Sequence, residues 1–172
     1  MSSSFDQNQN HYYFKKKDTI PLVFIHGVGL DHQMWNYQVS SLNEFSILTY
    51  DLLGHGKTPF NKDKLTLKDF SDQLLGLLDN LKIEKINLIG FSLGSLIALD
   101  FSSHFQNRIE KLILIGTTYK RSEQERSLVV ERFNQAKLNK PISKQALKRW
   151  FSDKYLEDNP KTYDLFMKIL NK

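Results

Sequence analysis

Lys85-Ile86-Asn87-Leu88-Ile89-Gly90-Phe91-Ser92-Leu93-Gly94-Ser95-Leu96-Ile97-Ala98-Leu99 is the stretch whose reading decides the fold. Lys85 to Gly90, with Ile86, Leu88 and Ile89, reads as a core strand. Leu93 to Phe105 then opens with small and apolar residues on nearly every side, the pattern of a helix buried at least through Leu99. Between them Gly90-Phe91-Ser92-Leu93-Gly94 fits Gly-x-Ser-x-Gly, a sharp strand-to-helix turn with a serine at its tip. The turn predicts a strained backbone at Ser92, with Gly90 and Gly94 letting the chain pass close by. It sets the hydroxyl beside a helix N-terminus, where developing negative charge is favoured.

Outward from this turn the same alternation repeats. Upstream, Pro21-Leu22-Val23-Phe24-Ile25 is a second core strand ending at His26-Gly27-Val28-Gly29. Trp35, Val39 and Leu42 follow at helical spacing, and Phe45 to Tyr50 is the next strand, closed by Asp51-Leu52-Leu53-Gly54-His55-Gly56. Thr66 and Asp69 form a capping-box pattern ahead of Leu67, Phe70, Leu74, Leu77 and Leu81, the stripe of an amphipathic helix. Downstream, Ile109 to Ile115 is a further core strand, and Tyr12 to Phe14 a short one. Strands alternating with helices imply crossovers and a mostly parallel sheet with flanking helices, an α/β fold. After Gly116 the pattern is helical only. Ser122 with Glu125 marks one helix start, with Leu128, Val129, Phe133 and Ala136 on its face. Ser143 is expected to cap a second helix through Trp150 and Phe151. Asn159-Pro160 opens a third, with Tyr163, Phe166, Met167 and Leu170 as its stripe. The expected organisation is a flexible lead-in at 1–11, an α/β core at 12–119 and a helical cap segment at 120–172.

Composition narrows the functional classes. The 172 residues, 40% hydrophobic and 25% charged, suit one ordinary globular domain. The absence of cysteine excludes disulfides, a thiol nucleophile and cysteine-ligated metal, and fits a reducing, cytoplasmic setting. No apolar run approaches the roughly 20 residues that span a bilayer. The polar Met1–Asn10 stretch has no signal core. Charge is uneven: up to Tyr119 there are 11 Lys/Arg against 12 Asp/Glu, and from Lys120 onward 13 against 7, an excess of six cations. Solvated helix faces account for such an excess, as does a cationic cap over a site for anionic substrates. No aromatic–basic interleaving accompanies it, so nucleic-acid binding is not expected. No metal or cofactor and no membrane partner is expected, and the sequence leaves the oligomeric state open.

Three motifs occur in order: His26-Gly27, then Asp51-x-x-Gly54-His55-Gly56-x-Thr58, then Gly90-x-Ser92-x-Gly94. In this the chain resembles the α/β-hydrolase superfamily, from Ile20 to Tyr119 and more loosely beyond. Asp31 to Trp35 is similar to the family's start of the first helix. Thr117 through Trp150-Phe151 is similar to the cap entry of the 3-oxoadipate enol-lactonase and pimeloyl-ester esterase relatives. The resemblance implies a hydrolase of carboxylic esters or lactones that forms an acyl-enzyme on Ser92, with no cofactor and a small-molecule substrate. It also implies an oxyanion hole made by the backbone N–H groups of Val28 and Leu93, beside His26, Gly27, Gly90 and Gly94 as structural neighbours. Serine at the elbow disfavours the dehalogenase and epoxide-hydrolase relatives, which place aspartate there.

The family's triad runs Ser, acid, His along the chain, and here the pattern departs. The one histidine after Ser92 is His104, twelve residues along the same helix. At about 1.5 Å per residue it lies roughly 18 Å away, out of hydrogen-bond reach. His55 matches a structural histidine, and Asp51 reads as a turn-forming residue. The sequence is therefore expected to stop inside the cap, before the triad acid and base, and to be nearly inactive as it stands. The competing expectation is a non-catalytic protein that binds small molecules in a hydrolase-like pocket. Continuation of the reading frame past Lys172 discriminates the two.

Overall fold

The computed structural model describes residues 3–60, 62, 64–137 and 143–171. Those residues form two compact units, 1–117 and 118–172 by chain position. The first unit holds strands β1 (Ser4–Phe5), β2 (His11–Lys15), β3 (Leu22–Ile25), β4 (Ile47–Tyr50), β5 (Ile86–Phe91) and β6 (Ile109–Ile115). Its helices are α1 (Asn36–Ser41), α2 (Leu67–Asn80) and α3 (Leu93–His104). The strands make one sheet in the order β1-β2-β4-β3-β5-β6. β4, β3, β5 and β6 run parallel, while β1–β2 and β2–β4 pair antiparallel. The fold is thus α/β with a mostly parallel sheet, as the alternating pattern predicts.

Successive residues of a strand face opposite ways, and both faces of β3 are occupied. Val23 and Ile25 join Leu48, Tyr50, Leu74, Leu77, Leu78, Ile97, Ala98 and Phe101 in the larger core, formed against α2 and α3. Phe24 joins Trp35, Val39, Ile47 and Ile89 in a smaller core on the other face, against α1. Helix α2 begins at the expected capping box: Thr66 accepts from the Asp69 N–H, and Asp69 accepts from the Thr66 N–H. Such a cap contributes about 1 kcal/mol. β6 is the last strand of the sheet, paired with β5 alone among the described residues. Ile113 stands opposite Ile89 and Ile115 opposite Phe91 in that pairing. Yet Ile113 is 50% and Ile115 40% exposed.

Several expectations are corrected. Within the stretch expected as a flexible lead-in, Ser4–Phe5 is a strand. Ser4–Phe5 pairs with His11–Tyr12. Asp6 closes the intervening turn by accepting from the Asn8 and Asn10 N–H groups at 2.9 and 2.8 Å. The helical spacing of Trp35, Val39 and Leu42 is split: His32–Trp35 is a 3-10 turn capped by Asp31, and only Asn36–Ser41 is α-helical.

The regular elements of the second unit's described residues are all helices: α4 (Glu123–Lys137), α5 (Ser143–Trp150), α6 (Asp153–Asp158) and α7 (Pro160–Leu170). Ser122 and Glu125 make the expected reciprocal contacts at the start of α4. Ser143 does not cap α5. It is the first helical residue, and its hydroxyl donates to Asn171 Oδ1 at 2.7 Å, tying α5 to the end of α7. α6 has no counterpart in the sequence reading, although Ser152 caps it through the Tyr155 N–H. On α7 the buried positions are Thr162, Phe166 and Ile169, one residue off the expected stripe except at Phe166. Leu128 and Phe133 on α4 are more than half exposed, and the Ala136 side chain lies outside the described residues.

Candidate active site

The β5–α3 turn carries Gly90, Ser92, Leu93 and Gly94 of the expected site residues. Ser92 lies between Phe91, the last residue of β5, and Leu93, the first of α3, with φ 53° and ψ −113°. A non-glycine residue held in such a conformation costs on the order of 1–3 kcal/mol and persists only where its surroundings enforce it. Two glycines supply the enforcement. A Cβ on Gly90 would lie 2.2 Å from the Gly94 carbonyl oxygen, and one on Gly94 would lie 2.4 Å from the Ile25 carbonyl oxygen. The first turn of α3 is therefore seated on the ends of β5 and β3. The Ser92 N–H donates to the Ile115 carbonyl at 2.9 Å, and its carbonyl accepts from the Ser95 N–H at 2.9 Å. Backbone on both sides is fixed, and the partly exposed Ser92 side chain is left at the tip.

The loop after β3 meets this tip. A Cβ on Gly27 would lie 3.4 Å from the Ser92 Cβ and 3.1 Å from the Phe91 ring. His26 anchors the loop from below. It is fully buried. Its Nδ1 lies 2.8 Å from the Gly27 carbonyl, and its Nε2 3.0 Å from the Leu52 backbone N. Because the Leu52 N–H must donate, Nε2 carries the lone pair and Nδ1–H donates to Gly27. Burial, with a smaller contribution from the nearby His55, pushes the His26 pKa down to about 4 against the raising effect of its hydrogen bond to Gly27. A neutral, doubly bonded imidazole cannot act as a base without breaking the loop it holds. Leu93 follows Ser92 as the first residue of α3, Val28 follows Gly27 in the loop after β3, and neither backbone N–H has a protein acceptor among the described residues. For Leu93 this follows from its place in the first turn of a helix.

Asp51 does more than form a turn. Its carboxylate, almost wholly buried, accepts from His11 Nδ1 at 2.8 Å, His32 Nδ1 at 2.7 Å, the His32 N–H at 2.9 Å and the Lys57 N–H at 2.9 Å. Burial alone would raise its pKa. The hydrogen bonds from His32 and Lys57 outweigh that and hold it well below the usual carboxylate range. Gly56 makes room for the carboxylate, since a Cβ there would lie 2.2 Å from Asp51 Oδ2. The sequence reading did not find His11 and His32 as partners. His32 adjoins Asp31 in the quoted Asp31–Trp35 stretch, but only the antiparallel β2–β4 pairing brings His11 to the end of β4.

The remaining histidines are also engaged. His55 Nδ1 bonds the Leu53 carbonyl at 3.0 Å, and His104 Nδ1 the Asp100 carbonyl at 2.8 Å. None of the five histidines hydrogen-bonds Ser92. No helix among the described residues is long and apolar enough to cross a membrane.

The profile of the alpha/beta hydrolase fold family matches residues 20–162. The chain is 28% identical over 151 residues to an (E)-2-((N-methylformamido)methylene)succinate hydrolase of Acinetobacter baylyi, a match covering 87% of this chain and 57% of that protein. It is 32% identical over 145 residues to 3-oxoadipate enol-lactonase 1 of the same organism, covering 80% and 53%. The enol-lactonase structure from Burkholderia xenovorans superposes with a TM-score of 0.82 at 26% identity, over 95% of this chain and 65% of that one. The chain thus spans a little over half the length of these curated relatives.

Proposed function

Because the chain belongs to the alpha/beta hydrolase fold family, we propose that it supplies the nucleophile and oxyanion hole of a serine hydrolase acting on carboxylic esters or lactones. The observation that carries this reading is the backbone of Ser92. A serine held at φ 53° between two glycines whose Cβ positions would collide with backbone is strain with a chemical use. In the reaction, Ser92 Oγ attacks the ester carbonyl carbon, and the negative charge on the carbonyl oxygen is held by the Val28 and Leu93 N–H groups. The C–O bond to the alcohol breaks, leaving an acyl group on Ser92, and water then releases the acid. In this reading the base that takes the serine proton, and the carboxylate that orients it, are not among the described residues, since no described histidine reaches Ser92. Without them the serine stays protonated, and only the oxyanion hole and substrate binding contribute.

The substrate is a small molecule bearing a carboxylate. Support comes from the 13 Lys/Arg against 7 Asp/Glu after Tyr119, and from relatives named for a succinate and a 3-oxoadipate lactone. A reducing, cytoplasmic setting accords with the lack of cysteine.

One observation favours a second reading, a non-catalytic binding protein: no described histidine reaches Ser92. The test is to express the chain with whatever its natural reading frame adds after Lys172, and to assay p-nitrophenyl esters with and without an acid group. Loss of turnover in Ser92→Ala is expected, with far lower turnover for the 172 residues alone. Retained turnover in Ser92→Ala overturns the nucleophile. Turnover by the 172 residues equal to that of the extended chain overturns the external base. A stop codon directly after Lys172 favours the binding protein.

A further inference from the structure

His11, His32 and Asp51 come from three separate segments: β2, the 3-10 turn after β3 and the end of β4. One donor atom from each lies within 4.8 Å of the other two. The two imidazole rings meet edge to face, with centroids 4.9 Å apart. The side chains of His11, His32 and Asp51 are 3%, 11% and 1% exposed. We propose that this trio is a divalent transition-metal site of the zinc class, formed by the Nδ1 atoms of His11 and His32 and one oxygen of Asp51.

The donor set suits such an ion. Two imidazoles and a carboxylate are borderline ligands that favour zinc and its neighbours over calcium or magnesium, which take oxygen shells. Three protein ligands leave a fourth position for water. A cavity of about 380 Å³ opens beside the trio, lined by His11, His32, Ser3, Tyr13 and Lys57 among others. It supplies both an entry path and room for that water.

The surroundings accommodate the exchange of protons for metal. Each Nδ1–H now donates to Asp51 at 2.7–2.8 Å. Metal binding moves each imidazole to its other tautomer: the proton leaves Nδ1, Nε2 gains one, and the rings stay neutral. For His11 the receiving partner is already present, since Ser3 Oγ lies 2.8 Å from Nε2 and accepts as readily as it donates. A partner on the far nitrogen is the usual companion of a metal-bound histidine. Asp51 keeps its orientation throughout, because the backbone N–H groups of His32 and Lys57 hold it. Zinc bonds of about 2.0–2.1 Å set tetrahedral ligand atoms roughly 3.3 Å apart. The three donor atoms, all within 4.8 Å of one another, reach that spacing through side-chain adjustments of about 1–2 Å at most: the Nδ1–oxygen contact that becomes a shared edge lengthens by about half an ångström and the wider pairs close.

Bound metal would clasp three segments that otherwise meet through hydrogen bonds, and would do so next to Leu52, whose N–H holds His26. The inference is independent of the Ser92 chemistry.

The test is titration of tag-free protein with Co²⁺ and Zn²⁺, followed by the visible absorption of bound Co²⁺, by calorimetry and by ¹⁵N shifts of the imidazole nitrogens. One ion per chain is expected, with the Nδ1 resonances of His11 and His32 moving. At an ion concentration 100-fold above the dissociation constant, the folding equilibrium rises about 100-fold, read as a higher melting temperature. His11→Gln and His32→Gln each weaken binding at least 100-fold. Ser3→Ala, which leaves the ligands untouched, weakens it about 10-fold. His104→Gln and Ser92→Ala leave it unchanged. Absence of stoichiometric binding in the unmodified protein, or shifts confined to His55 or His104, overturns the site. So does binding that survives His11→Gln and His32→Gln.

Discussion

Gly76 and Gly94 both sit in helices, and the same substitution should act on them with opposite sign. A Cβ at Gly76, inside α2, would have nothing nearer than Asn8 Nδ2 at 3.8 Å. Gly76→Ala then gains the helix preference of alanine, about 0.5–1 kcal/mol, without steric cost. At Gly94 the gain is no larger, and the Cβ would stand 2.4 Å from the Ile25 carbonyl oxygen and 2.7 Å from that of His26. An ordinary Cβ contact begins near 3.4 Å, so α3 must back away by about 1 Å. The obstacle is strand backbone, which cannot swing aside as a flexible side chain would. Overpacking of this kind costs about 1–3 kcal/mol. The two variants should differ by about 1–4 kcal/mol, Gly76→Ala above the parent protein and Gly94→Ala below it. Urea unfolding in a Trp150→Phe background reads this, because Trp35, buried in the smaller core, then reports on the first unit alone. Equal stabilities for the two variants would refute the claim that contact of α3 with β3 shapes the turn at Ser92.

Acid should expose the role of His26. Its folded pKa, about 4, lies below the ordinary 6.5, so the unfolded chain binds the proton more tightly. The stabilisation is complete above pH 6.5 and is lost as pH falls toward 4, by about 3 kcal/mol in all. A His26→Gln variant should lack that component when folding free energy is measured across the range; a profile parallel to the parent's would sink the assignment. Ser92→Gly relieves the positive φ that Ser92→Ala keeps, and should be about 1 kcal/mol more stable than it in thermal or urea unfolding. An alanine variant as stable as the glycine variant would mean that Ser92 stores no strain. Finally, Ile113→Lys places a charge on the exposed last strand and should lower self-association of the 172 residues in light scattering and gel filtration. Unchanged association would locate the sticky surface elsewhere.

The strands and the elbow were legible because their information is local. Apolar runs such as Leu22–Ile25 and Ile109–Ile115 announce themselves, and the Gly-x-Ser-x-Gly spacing follows from the close backbone approach at Gly90 and Gly94. The capping boxes at Thr66 and Ser122 are likewise written within four residues. What stayed hidden depends on partners far along the chain. Ser4–Phe5 looks like a polar leader until His11–Lys15 pairs with Ile47–Tyr50 and offers it an edge. Ser143 has the composition of a cap, but Asn171 claims its hydroxyl from 28 residues away. The His11–Asp51–His32 trio is invisible for the same reason. His11 and Asp51 are 40 positions apart and meet only when β2 turns antiparallel to β4.

The strand order also has a consequence for synthesis. β3 is central, and on one side its neighbours follow in the order β5 then β6. A ribosome delivers strands in that same order, so on this side the open edge of the nascent sheet is always the strand most recently made. The 17 residues between Phe91 and Ile109 take about 1–3 seconds to translate at 5–20 residues per second. During that pause the β5 edge, with Ser92 at its tip, waits unpaired. Its next partner is covalently attached and already on the way, which gives that partner an advantage over any strand of a neighbouring nascent chain.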